Sequence, residues 1–239
     1  MINVVSGIDH FASAGRTPWH RASALAKLIL ALGLVGLAVF APSLRLLAAL
    51  HAVAWLLALT SRVPLRLLGL AVAYPLLFLG LFVVAAWDGT WRTPLVLALR
   101  PLTAGLTAVW LVATTPYPDL FAPLSRVLPR RVGDGLFLTY RALFQLLGRI
   151  ERLWRSLRLR GGGAGPARRR MAVAGQGLGT VVLYGFERGQ RQYQTMILRG
   201  HGGRICGCRH WAEVSRADLA VALAVVLVAT LGILMWRSP

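Results

Sequence analysis

The chain alternates between two textures. Long apolar runs occupy residues 22–59, 65–86, 95–113 and 219–236, and an arginine- and glycine-rich stretch precedes the last of them. A run of about 20 apolar residues matches a bilayer hydrocarbon core roughly 30 Å thick. The first run is long enough for two crossings. Ala41-Pro42-Ser43 splits it into a tight hairpin of helices over about 24–40 and 44–59. Residues 65–86 make a third span kinked at Pro75, residues 95–113 a fourth and 219–236 a fifth. Trp87 and Trp91 flank the turn before the fourth span, at the level where tryptophans settle into a membrane interface.

Between Pro116 and Arg216 the period changes. Leu136, Tyr140, Leu143, Leu147, Ile150, Trp154 and Leu157 recur at alternating fours and threes, which predicts one face of an amphipathic helix. Arg141, Arg149, Arg152 and Arg155 fall largely away from that face. The stretch Gly161–Pro166 breaks the helix, and a second is predicted from near Arg168 to Arg199. The second helix carries Gly175, Gly179, Gly185 and Gly189, including two small-xxx-small pairs. Each glycine costs about 1 kcal/mol in a helix, which close approach of another backbone would offset. The predicted fold is an all-α integral membrane protein of about five transmembrane helices plus a cytoplasmic domain of long amphipathic helices. Its divisions are a tail at 1–21, a four-helix membrane region at 22–114, the helical domain at 115–217 and a final span at 218–239.

Charge sharpens this picture. The net charge is +19, yet Lys27 is the only lysine, and eighteen arginines fall in residues 115–217. Outside that domain, Arg16, Arg21, Lys27, Arg62 and Arg66 lie on one predicted side of the bilayer and Arg45, Arg92 and Arg237 on the other. The positive-inside rule then puts the N-terminus and the basic domain in the cytoplasm. Residues 1–19 are mixed and polar, without a short apolar run before an A-x-A site, so no cleavable signal is expected. Cys206 and Cys208 are too close for a long-loop staple, and nothing here demands an oxidising compartment.

Two stretches echo each other. Glu151-Arg152-x-x-Arg155 leads to Leu159-Arg160-Gly161, and Glu187-Arg188-x-x-Arg191 leads to Leu198-Arg199-Gly200. Glu followed by Arg at i+4, with a closing glycine, predicts a helix that ends at a glycine cap. Last-turn arginines suit the negative end of the helix dipole. Each motif therefore presents an arginine at an exposed helix tip, which is a docking feature.

With two such tips, two long helices before the last span and about five spans, the chain resembles the transmembrane T component of energy-coupling factor transporters. That family's signature is a pair of Ala-Arg-Gly-type triplets ending two coupling helices; here both read Leu-Arg-Gly. Thr114-Thr115-Pro116-Tyr117-Pro118-Asp119-Leu120 is similar to the Thr-Thr-Pro-x-x-x-Leu turn of the cobalt and nickel branch, the CbiQ type. The resemblance implies a non-catalytic subunit of a prokaryotic inner-membrane importer without a cofactor of its own. It would link two cytoplasmic ATP-binding subunits to a small substrate-binding membrane protein, the S component, for cobalt or nickel or, alternatively, a vitamin. Leu159, Arg160, Gly161, Leu198, Arg199 and Gly200 would meet the ATPases. Glu151, Arg155, Glu187 and Arg191 would support the coupling helices, and Gly175, Gly179, Gly185 and Gly189 would serve helix packing.

Other chemistries fit poorly. No G-x-x-x-x-G-K-[ST] occurs, and the glycines at 175, 177 and 179 follow no strand, so neither a P-loop nor a dinucleotide loop is expected. His201, Cys206, Cys208 and His210 do not have a standard structural zinc spacing and are read as no metal site. Arg100, inside the fourth span, is close enough to its outer end to snorkel there, and His51 reads as a hydrogen-bonding residue facing the bundle. Contact of the basic helices with anionic lipid is expected, whereas no nucleic-acid-binding pattern is present. A membrane enzyme acting on lipid-linked substrates would need convergent carboxylates, and none of the eight acidic residues lies within a span.

Overall fold

The computed structural model describes residues 10–15, 17–64, 68–69, 73, 76, 80, 89, 91–201 and 217–236. Its described elements are all helical: α1 (Pro18–Arg21), α2 (Ala24–Phe40), α3 (Leu44–Thr60), α4 (Arg92–Thr114), α5 (Tyr117–Val127), α6 (Arg130–Leu159), α7 (Ala167–Leu198) and α8 (Asp218–Trp236). Most of the predicted third span, residues 65–86, lies outside the described residues. The chain divides into two compact units, one of residues 8–123 with 209–239 and one of 124–208 with 1–7.

The first unit is the apolar one. Among the described residues α4 and α8 are long and apolar enough to cross a membrane, while α2 and α3 are 17-residue apolar helices. Seventeen residues span roughly 26 Å, at the short end of what a bilayer core requires. The α2–α3 turn falls at the predicted place, and Ser43 caps α3 by accepting from the Leu46 N–H at 3.3 Å. Leu30, Leu34 and Ala38 of α2 meet Leu46, Leu50, Ala54 and Leu57 of α3, Leu106, Trp110 and Ala113 of α4 and Val221 and Val228 of α8 in one core. All recur at threes, fours or sevens, the spacing of one helix face.

Lipid tails are as apolar as leucine, so burial alone does not hold such helices together; fit and interhelical hydrogen bonds do. The fit is close where Gly232 of α8 meets Leu37 of α2, since a Cβ there would come within 3.3 Å of both leucine methyls. The hydrogen bonds are specific. The Trp110 indole donates to Ser61 Oγ at 2.7 Å, tying α4 to the end of α3. The Trp55 indole donates to His51 Nε2, His51 Nδ1 lies 3.0 Å from Thr103 Oγ1, and that hydroxyl donates to the Leu99 carbonyl. This chain of donors assigns a neutral His51 protonated on Nδ1, with both ring nitrogens engaged. His51 is therefore a bundle-facing structural residue, as its sequence position suggested. Arg100 reaches the Ala41 carbonyl at the α2–α3 turn, 3.1 Å from its Nη2. Its charge sits at the negative end of α2.

The second unit is built on α6 and α7, helices of 30 and 32 residues. Pro129 and Pro166 stand at their N-caps, where a missing N–H costs nothing. The two run antiparallel. Gly177 is buried against Leu153 and Leu157, Gly185 faces Leu146, and Arg188 Nε donates to Gln145 Oε1 at 2.6 Å. The Arg149 guanidinium lies 4.6 Å above the Tyr184 ring. The sequence stripe of α6 is only in part the face used here. Leu157 of the stripe points to α7 together with Leu146, Arg149 and Leu153 from its flank, whereas Leu143 and Trp154 of the stripe stay exposed. The reason is Gly177: a backbone without a side chain accepts Leu157 from the stripe and Leu153 from its flank.

Candidate functional site

The repeated motifs fold into the same geometry. Both helices stop at an arginine C-cap, Arg160 at φ −88°, ψ 12° and Arg199 at φ −88°, ψ 10°. Both continue into a left-handed glycine, Gly161 at φ 75° and Gly200 at φ 72°. The hydrogen bonds correspond one for one. Gly162 N–H donates to the Leu157 carbonyl and Gly161 N–H to that of Arg158; His201 N–H donates to Met196 and Gly200 N–H to Ile197. This is a Schellman closure at each end, and glycine is needed because a side chain would be strained at that φ by roughly 1–2 kcal/mol.

The closure turns the preceding leucine outward. Leu159 is 85% exposed and Leu198 86%, and Arg160 and Arg199 are exposed beside them. Each tip thus offers an apolar knob and a guanidinium on a fixed turn. The supporting pairs repeat as well, Glu151 with Arg155 at 3.4 Å and Glu187 with Arg191 at 3.3 Å, both solvent-exposed. Exposed i,i+4 pairs stabilise a helix by only about 0.3–0.5 kcal/mol, so these stiffen the shafts slightly and decide nothing about the tips. They also sit at different distances from the two arginines, nine residues in one case and twelve in the other.

The four singled-out glycines divide. Gly185 meets Leu146 at 3.5 Å within the hairpin, whereas a Cβ at Gly175, Gly179 or Gly189 would meet nothing within 4 Å. Those three share one face of α7 with Met171, Leu178, Val182, Phe186, Tyr193 and Ile197, all exposed. The result is an apolar stripe along a 32-residue helix, interrupted by glycines that would admit another backbone. Gly177, the glycine that does hold the crossing, was legible in the sequence only as one of several. Nothing in the spacing marked it.

A second cluster escaped the sequence reading. Lys27 is 1% exposed, and its ammonium donates to the Thr114 carbonyl at 2.9 Å, in the field of Asp119 and Asp218. Asp218 Oδ1 in turn accepts from the Ser23 N–H at 2.6 Å. The only lysine thus ties the start of α2 to the end of α4, where the Thr-Thr-Pro turn begins. A lone lysine at the head of an apolar run was the available signal. Among the described residues no three His, Cys, Asp or Glu side chains group as for a metal. Of the candidate His/Cys cluster, Cys206, Cys208 and His210 lie outside the described residues.

The fold and these tips define a class: an all-α membrane protein that carries a two-helix unit with matched arginine-glycine ends. The description of the CbiQ family, "Cobalt transport protein", matches residues 15–207. The chain belongs to that family, the branch its Leu-Arg-Gly pair and Thr114–Leu120 turn resemble. It is also similar to the "Cobalt transport protein CbiQ" of Salmonella typhimurium, 36% identical over 92 residues. That match spans 36% of this chain and 41% of the relative's length.

Proposed function

We propose that the chain is the non-catalytic T component of an energy-coupling factor importer in a prokaryotic inner membrane, serving cobalt uptake. In this reading two cytoplasmic ATP-binding subunits close and open with ATP, and the α6–α7 hairpin passes that movement to a small substrate-binding membrane subunit. The observation that carries the reading is the pair of matching tips. A single exposed arginine at a helix end is ordinary, but two Leu-Arg-Gly closures with the same dihedrals suit two equivalent partners.

The chemistry of docking follows from the tip. An exposed leucine fills an apolar groove, and the guanidinium beside it forms charge-assisted hydrogen bonds to a carboxylate or helix end there. The glycine-punctuated stripe of α7 is the face for the substrate-binding subunit, because apolar surface of that extent on one helix calls for a covering partner. The arginine asymmetry supports a cytoplasmic placement of residues 115–217. Cobalt is the cargo that the family description supports, and it would be bound by the partner rather than by this chain. The reading is tested by affinity purification of the full chain from its native membrane. Recovery of a protein with a G-x-x-x-x-G-K-[ST] loop, together with a small membrane protein, is the expected result. An intact chain that brings down neither contradicts it.

A further inference from the structure

Beside the α6–α7 crossing the two helices leave an open groove of about 540 Å³. Its lining includes four arginines, Arg141 from α6 and Arg188, Arg191 and Arg199 from α7, against a single carboxylate, Glu187. Glu187 is already paired with Arg191. Arg188 spends its Nε on the neutral Gln145. The side chains of Arg141 and Arg199 have no hydrogen-bond or ion-pair partner among the described residues. Apolar side chains, Phe137, Leu138 and Met196, share the lining with the arginines. The groove therefore gathers four guanidinium groups against one carboxylate, in a lining that also holds apolar side chains.

We propose that this groove binds the phosphate headgroup of an anionic phospholipid, with Arg141 and Arg188 on the phosphodiester and the apolar lining residues against the first carbons of the lipid. Three observations favour a lipid. Guanidinium forks match phosphate oxygens in pairs, and the volume falls in the range of small-ligand sites, about 300–1,000 Å³. The lining mixes charge with apolar surface, as an amphiphile requires and a free anion does not. And the same chain carries α4 and α8, long and apolar enough to cross a membrane, whose cytoplasmic leaflet has anionic headgroups that attract arginine. A nucleotide base is disfavoured, because a face of the Tyr184 ring in the lining is covered by Arg149. The site does not depend on the transport role: it concerns the lipid held by the chain itself.

The test uses the purified full chain in detergent, with retained lipid counted by native mass spectrometry. Added phosphatidylglycerol should be retained at one site, and phosphatidylcholine should not. Arg141→Gln should weaken that retention about fivefold, the value expected for one arginine at a headgroup. Arg141 is exposed and has no hydrogen-bond or ion-pair partner among the described residues, so its loss should leave the packing of the hairpin alone. Arg170→Gln, which removes the same charge outside the groove, should change nothing. Equal retention of the two lipids, equal weakening by both substitutions, or displacement of the lipid by millimolar inorganic phosphate would each overturn the proposal. So would an Arg141→Gln chain that keeps its lipid and loses a bound protein partner instead.

Discussion

The two units of this chain spend their apolar residues in opposite ways. In the bundle, Leu34, Leu46, Leu50 and Trp110 are fully buried and polar groups close helix to helix. In the α6–α7 unit, the one buried residue of α7 is Gly177, while Phe186, Leu178, Leu159 and Leu198 face outward. The bundle's exposed apolar side chains, Leu32, Phe40, Leu219 and Ile233 among them, surround a buried core on helices apolar enough to meet lipid, whereas the apolar stripe of α7 lies on an arginine-rich hairpin with almost no core of its own. That difference, rather than any reactive side chain, is what supports the proposed coupling role.

Matched substitutions sharpen the contrast, and the largest effect belongs to tryptophan. Trp110→Ala removes a buried side chain and leaves Ser61 Oγ without its donor, so the bundle should lose about 3–5 kcal/mol. Trp154→Ala, on the half-exposed face of α6, should change the stability of the isolated chain by no more than about 0.5 kcal/mol. Denaturant-induced unfolding in detergent, followed by tryptophan fluorescence and helix content, separates the two. Equal losses would mean that the hairpin is packed as tightly as the bundle.

Glycines come next. Gly177→Leu forces a side chain between Leu153 and Leu157 and should destabilise the hairpin by roughly 1–3 kcal/mol. Gly179→Leu points into open space, so the chain alone should tolerate it. Uptake per ATP by the assembled transporter should nevertheless fall, because the bulk lies on the proposed docking stripe. Unchanged uptake per ATP would leave the stripe without a role. A smaller effect is expected at the tips themselves. Gly161→Ala or Gly200→Ala strains a left-handed residue by about 1–2 kcal/mol, spread over a closing turn that can fray. Faster amide exchange at Gly162 or His201, with the helix interiors unchanged, would register it.

The smallest effect is a pH dependence at the tail of the bundle. Half-burial pushes the His20 imidazole below its ordinary value of 6.5, and the charge of Lys27 adds to this. His20 is then neutral in the fold when the unfolded chain would already be protonated. Its contribution is complete above pH 6.5 and declines as the pH falls below it. His20→Gln should flatten that decline in melting temperature; an unchanged slope would show that another group titrates there.

Sequence periodicity read the helices well because threes and fours report a helix whatever covers it. Helix α7 was expected from near Arg168 to Arg199 and spans Ala167–Leu198. The tips were legible for a local reason: a glycine closure is written within six consecutive residues. Which face meets which is not local. The α6 stripe through Leu143, Trp154 and Leu157 reads as one packing face, yet α7 meets only its Leu157 edge and the flanking Leu153, where Gly177 lets both in. Lys27 shows the same limit. Its partner carbonyl at Thr114 is 87 residues away, and no pattern along the chain connects them.

The central claim is that the two arginine tips hold the ATP-binding subunits, and one measurement addresses it directly. The assembled transporter is purified through a tag on this chain, with and without Arg160→Glu combined with Arg199→Glu, and the retained ATP-binding protein is quantified beside the chain's own melting temperature. Charge reversal at two central contacts of an interface should lower retention by at least about tenfold. The melting temperature should stay where it was, since both side chains are exposed and make no hydrogen bond or ion pair among the described residues. Full retention of the ATP-binding protein by the doubly reversed chain would contradict the account.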